Sequence, residues 1–116
     1  MNAPLVSVLM ITRNHGPYIA KALQSVLDQR LDGSLEILIG EDASTDDTGA
    51  ICTELAARHP ECVRLFSSPG GAIGMHANFG RLLAAARGRY FAFLEGDDYW
   101  IAPDKLARQI ALLEGN

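Results

Sequence analysis

Four short apolar runs, each followed by an amphipathic stretch, constrain this chain more than any other feature. The runs are "LVSVLMIT" (5–12), "LEILIGE" (35–41), "VRLFS" (63–67) and "RYFAFLE" (89–95). They are nearly continuous rather than alternating, which predicts strands buried on both faces, as in a parallel sheet. Residues 17–29 place Ile19, Ala22, Leu23, Val26 and Leu27 at helical spacing, with Pro17 suited to the first turn. Residues 46–58 repeat the pattern with Ile51, Cys52 and Leu55, and "STDD" makes Ser44 the expected cap, with acids in the first turn. Residues 75–87 carry Phe79, Leu82, Leu83 and Ala86 and should stop at Gly88. A last helix from about Pro103 puts Leu106, Ile110 and Leu113 on one face. The order β-α-β-α-β-α-β-α implies right-handed crossovers and a Rossmann-like three-layer α/β/α sandwich around a mainly parallel sheet.

A chain of 116 residues, 48% hydrophobic and 21% charged, is one domain (1–116) with enough apolar material for a real core. Its net charge of -4 argues against nucleic acid or an anionic membrane as main partner. No apolar run is long enough to cross a bilayer, and the first residues lack a basic leader with a cleavage site. Cys52 and Cys62 have no metal-ligand or redox spacing, so two free thiols in a reducing cytoplasm are expected.

In such a sheet, ligands sit beyond the carboxyl ends of the strands. Three segments fall there: "TRNHGPY" after the first strand, "EDASTDD" after the second and "EGDDYW" after the fourth. The first turn has one glycine, so it lacks a dinucleotide fingerprint, and no P-loop or glycine-rich basic nucleotidyltransferase signature is present. A phosphotransfer receiver would need an aspartate ending its third strand, where this chain has "VRLFSSPG". What remains is a site lined with acids. Three carboxylates within Glu95–Asp98 repel one another unless a positive charge lies among them, and hard oxygen ligands suit Mg²⁺ or Mn²⁺ carrying a nucleotide diphosphate.

"VSVLMITRNHGPYIAKALQSVLDQ", "EILIGEDASTDDT", "GMHANFGRLLAAARGRYFAFLEGDDYW" and "PDKLARQ" occur in the order and spacing of glycosyltransferase family 2. The chain resembles this family of inverting, nucleotide-sugar-dependent transferases with the GT-A fold, from about Val6 to its last residue. By that resemblance Asp42 recognises the nucleotide base, with Glu41 in place of the more usual first Asp; the alternative is an Asp42 that only caps a turn. The DxD motif falls on Glu95-Gly96-Asp97. Glu95 corresponds to the position near the ribose and Asp97 to a metal ligand, while Asp98 either ligates through water or orients Asp97.

The Pro-Thr-Tyr-Asn of many members reads Ile11-Thr12-Arg13-Asn14 here, so Arg13 either stacks on the base or reaches a phosphate. Asn78 matches the third-helix motif, whose preceding arginine is Ala77 here. Arg81, one turn on, either replaces that diphosphate contact or is an exposed helical arginine. His15 either touches the ligand or is a surface histidine, and Lys105 matches a structural "PxKL" position. Tyr99 and Trp100 are expected to pack the turn.

The resemblance implies a donor-binding half that ends before the acceptor-binding half and the segment holding the family's catalytic base, so none of these residues is assigned that role. A half-domain leaves a sheet edge and apolar surface uncovered, which makes self-association an expectation. The implied partners are a nucleotide-diphosphate sugar, UDP favoured, and an acceptor glycan or lipid-linked sugar. The implied location is cytoplasmic or peripheral at the inner face of the membrane. The competing function is a module that binds a nucleotide sugar without turnover.

Overall fold

The computed structural model describes residues 3–115. Strands β1 (Val6–Thr12), β2 (Leu35–Glu41), β3 (Val63–Phe66) and β4 (Tyr90–Glu95) alternate with helices α1 (Gly16–Leu27), α2 (Thr48–Arg58), α3 (Met75–Ala85) and α4 (Lys105–Glu114). The sheet is parallel with order β3-β2-β1-β4. Right-handed crossovers explain the layers. Moving outward from β1 through β2 to β3 puts α1 and α2 on one face, and reversing direction to reach β4 puts α3 on the other.

The two faces are unequally covered. On one, Val6, Val8 and Met10 of β1 and Ile37 and Ile39 of β2 meet Ile19, Ala22, Leu23 and Val26 of α1, Cys52 of α2 and Leu106 and Ile110 of α4. On the other, Leu9, Ile11 and Leu38 meet Leu82, with Phe66 and Phe79 alongside. Each fully buried Leu or Ile contributes roughly 1.5–3 kcal/mol, so the first face supplies most of the apolar stabilisation.

The continuous runs of β1 and β2 are buried as expected, but edge strand β4 alternates. Phe91 and Phe93 stand 50% and 45% exposed beside α3, although Phe93 meets Phe79 edge-on at 5.4 Å. Among the described residues no helix lies squarely over them: α3 sits over β1 and β2 and reaches only Phe93, through Phe79. The third helix ends before Gly88, and that glycine has another task. A Cβ on Gly88 would lie 2.6 Å from the Ser7 backbone nitrogen, so β4 can enter the sheet only if this residue has no side chain. Leu113, expected on the buried face of α4, is 64% exposed. Its side chain lies past Ile110, the last buried residue of that helix. Both thiols are free; burial, then the charges of Glu41 and Asp46, pushes Cys52 up to about 12, so it packs as an apolar side chain.

Candidate functional site

The reversal of direction between β1 and β4 creates the crevice in which open parallel sheets bind ligands. Register pairs Ile11 with Glu95 and Thr12 with Glu41, so the ends of three strands are level there. A cavity of ≈ 300 Å³ is lined by Ile11, Thr12, Arg13, His15, Asp42, Gly74, Met75, Asn78 and Glu95. An adjoining polar cleft is lined by Phe93, Leu94, Glu95, Asp97, Asp98, Trp100 and Lys105. Glu95 belongs to both. Thus Thr12, Arg13, Asp42, Asn78 and Glu95 come together on one side, and the two aspartates of the acidic turn on the other.

Asp42 is 3% exposed. Its Oδ1 accepts from the Ser68 hydroxyl and the Ile73 amide, both at 2.8 Å, and its Oδ2 accepts from the Gly74 amide at 2.9 Å. Burial alone would push this carboxyl up; those three donors, with the Arg81 charge, outweigh it and hold the group below the ordinary range. The loop 67–74, glycine-rich and flexible by composition, is therefore tied to the end of β2. A carboxylate has about four acceptor directions, so Oδ2 retains one for a ligand.

Several expected ligand contacts are spent within the protein. Asn14 has φ 57, a conformation asparagine tolerates, and its Oδ1 accepts from the Thr45 amide at 2.8 Å and the Thr45 hydroxyl at 3.3 Å. Its own amide donates to Ser44 Oγ at 2.9 Å. Ser44 accordingly does not cap α2; Asp46 Oδ1 accepts the Thr48 amide instead, at 2.9 Å. The Thr48 hydroxyl and amide, opposed by slight burial and aided by the Gly16 amide, hold the Asp46 carboxyl below its usual range. Glu41 turns toward α2 and accepts the Ser44 amide at 2.8 Å.

Asn78 is 2% exposed and ties α3 to the sheet through the Gly40 carbonyl at 2.9 Å. Arg81 is half-buried rather than an exposed helical arginine. It donates to Asn78 Oδ1 at 2.9 Å and to the carbonyls of Ser67, Phe66 and Glu41 at 2.7, 3.1 and 3.3 Å. Of five guanidinium N–H groups, one is left. Arg13, by contrast, is an exposed cation on the cavity wall.

At the acidic turn, the Gly96 amide donates to the Ile11 carbonyl at 2.9 Å and the Asp98 amide to the Glu95 carbonyl at 3.0 Å. A Cβ on Gly96 would sit 2.5 Å from Thr12 Oγ1, so this glycine packs flat on the end of β1. Tyr99 and Trp100 do pack the turn onto α1: the Trp100 amide donates to Ser25 Oγ at 3.0 Å, and Lys21 Nζ sits 3.9 Å from the Tyr99 ring centre. Lys105 lines the cleft, 4.7 Å from the Trp100 ring. Sequence reasoning undervalued His15, which is four-fifths buried with Nε2 3.8 Å from Asp97 Oδ2. The signal available was its position just past a strand end, directly after an asparagine, a residue that tolerates a left-handed turn.

Among the described residues no three His, Cys, Asp or Glu side chains form a closed metal cage. The exposed pair Asp97 and Asp98 fits an ion held by one or two carboxylates, with its other ligands from substrate oxygens, as Mg²⁺ and Mn²⁺ commonly are.

The family model described as glycosyl transferase family 2 matches residues 7–116, nearly the whole chain. The chain belongs to that family. It is 44% identical over 109 residues to the uncharacterized protein Rv1520 of Mycobacterium tuberculosis, covering 94% of this chain and 31% of that one. It is 34% identical over 110 residues to the UDP-Glc:alpha-D-GlcNAc-diphosphoundecaprenol beta-1,3-glucosyltransferase WfaP of Escherichia coli, covering 95% and 41%. Among solved structures it resembles the mannosyltransferase PcManGT of Pyrobaculum calidifontis, in complex with GDP-Man and Mn²⁺, with TM-score 0.84 and 27% identity, covering 98% of this chain and 33% of that one. It also resembles TarS 1-349 of S. aureus in complex with UDP, with TM-score 0.81 and 26% identity, covering 95% and 32%. The GT-A type of fold is thereby established. The chain spans 31% to 41% of the length of these relatives.

Proposed function

We propose that this chain is the donor-binding portion of a metal-dependent glycosyltransferase that moves a sugar, with inversion, from a nucleotide diphosphate to an acceptor hydroxyl. The observation that carries the reading is the meeting of two unlike surfaces at Glu95. One is a cavity with a buried, hydrogen-bonded acid, Asp42; the other is a cleft with two exposed acids, Asp97 and Asp98. The first suits a base that offers an N–H, the second an ion and the diphosphate it accompanies.

In this reading Asp42 keeps its free Oδ2 direction for the base, Arg13 covers the open side of the cavity, and Glu95 meets the ribose between the two surfaces. Asp97 and Asp98 would hold Mg²⁺ or Mn²⁺, which would supply positive charge beside the diphosphate. No residue of the chain is assigned as the base for the acceptor. A UDP-sugar is the favoured donor and a glycan or lipid-linked sugar the favoured acceptor, in line with WfaP, whose name gives UDP-Glc as donor and a diphosphoundecaprenol-linked sugar as acceptor. The same proposal takes the protein to act in the cytoplasm or at the inner face of the membrane. Self-association through the open β4 edge and its exposed Phe91 and Phe93 belongs to the same proposal, and a monomer in sedimentation at high concentration would count against it.

A second reading, a module that holds the nucleotide sugar without turnover, is favoured by the engagement of Asn14 and Arg81 with the protein itself. Calorimetric titration of UDP with and without Mn²⁺ tests both readings. Ion-dependent binding lost in Asp97→Ala is expected, and no binding by the parent chain rejects both. Transfer or donor hydrolysis absent from Asp97→Ala selects the first.

A further inference from the structure

We infer that Thr12 and His15 form a seat that aims the Asp97 carboxylate, with His15 as a positioning residue; the ion-binding part of this inference rests on the function proposed above. The left-handed turn at Asn14 sends the His15 side chain back over the end of β1. The His15 amide is anchored on Thr48 Oγ1 at 2.9 Å, which fixes the backbone from the α2 side. Its ring Nδ1 lies 2.9 Å from Thr12 Oγ1, and Nε2 faces Asp97 Oδ2 at 3.8 Å. Gly96 closes the seat from above, since a Cβ there would lie 2.5 Å from Thr12 Oγ1 and 2.9 Å from His15 Nδ1.

The Thr12 hydroxyl can pair with either tautomer, and the facing Asp97 carboxylate favours the one with its proton on Nε2. If the Thr12 hydroxyl donates to Nδ1, the ring proton is on Nε2 and points at the carboxylate. The other tautomer would aim a lone pair at a negative charge. At 3.8 Å the contact is electrostatic rather than a hydrogen bond, enough to bias a half-exposed side chain among its rotamers. The contact steers Asp97 without occupying its oxygens in a hydrogen bond, which leaves them open to a cation.

Nitrogen-15 NMR of the ion-free chain at pH 8, where an ordinary imidazole is neutral, reads the tautomer directly. The Nε2–H form is expected for His15, lost in favour of a mixture in Thr12→Val; an Nδ1–H form in the parent chain overturns the seat. The second arm titrates Mn²⁺ in the presence of UDP. His15→Phe should weaken Mn²⁺ binding about tenfold while His15→Gln, which keeps a donor at the same reach, restores most of it. Affinity for UDP without the ion is measured beside it, because His15 also lines the base cavity, and its change should be smaller than the loss of Mn²⁺ affinity. Equal Mn²⁺ affinity in His15→Phe, or an equal loss of ion-free UDP binding, overturns the positioning role. If the parent chain binds no Mn²⁺ with UDP, the proposed function falls, and the tautomer result alone decides the seat.

Discussion

Glu36 at the amino end of the sheet and the acidic turn after β4 at the carboxyl end are treated in opposite ways. At the amino end Glu36 is 4% exposed and fully partnered. Its Oε2 accepts the Ser7 hydroxyl at 2.6 Å and the Arg87 amide at 2.7 Å, and its Oε1 faces Arg64 and Arg87 at 3.2 and 3.3 Å. The Ser7 hydroxyl in turn accepts the Gly88 amide at 2.8 Å, so one carboxylate clamps three strands and the end of α3. At the carboxyl end, Glu95, Asp97 and Asp98 are exposed, with His15 at 3.8 Å from Asp97 and Lys105 in the same cleft. Glu36, with every acceptor direction taken by donors from its own chain, holds the fold, whereas Asp42 keeps one direction open. Acids left short of such donors are free to take a partner from outside.

The largest stability effect should follow Glu36→Ala, which strands a buried hydroxyl, an amide and two guanidinium groups. A loss of about 3 kcal/mol is expected in urea unfolding, at the low end for a broken buried pair because both arginines reach solvent. A loss below about 0.5 kcal/mol, the range of ordinary surface changes, would break the comparison. Gly88→Ala comes next, since its Cβ would press on backbone rather than on a movable side chain. About 1–3 kcal/mol is expected by the same measurement, in the range of overpacked sites.

Acid should then weaken the clamp. Burial alone would push Glu36 up; Ser7, the Arg87 amide and the Arg64 charge outweigh it and hold the carboxyl below its usual range. A depressed folded pKa stabilises above the unfolded value and loses that contribution as pH falls through the folded one. Unfolding free energy should therefore decline below about pH 4, with Glu36→Gln flattening the decline. The smallest stability change is expected for Asp97→Asn, within about 0.5 kcal/mol in thermal unfolding. That same change should remove Mn²⁺-dependent UDP binding. Stability lost along with binding would mean the two ends are not divided in this way.

Much of this was legible in order and pattern. The four strands and four helices fall where apolar runs and helical spacing put them, because β1 and β2 are buried on both faces whichever strands flank them. The three loops at the carboxyl ends also follow from connectivity alone. The roles of Asn14, Ser44 and Arg81 do not, since their partners lie 30, 30 and 14 or more residues away, apart from the Asn78 bond within α3. Gly88 looked like a helix stop because its close approach to Ser7 spans 81 residues.

Sequence alone determined that this chain builds a parallel α/β sheet with an acidic end, since periodicity and the position of Asp42, Glu95, Asp97 and Asp98 are local properties. Which acids are sealed and which stay open was decided by strand order. Placing β4 beside β1, on the far side from β2, brings His15 under Asp97 and leaves Phe91 and Phe93 half exposed. Packing across the sheet, not the residue types, supplies or withholds each carboxylate's donors.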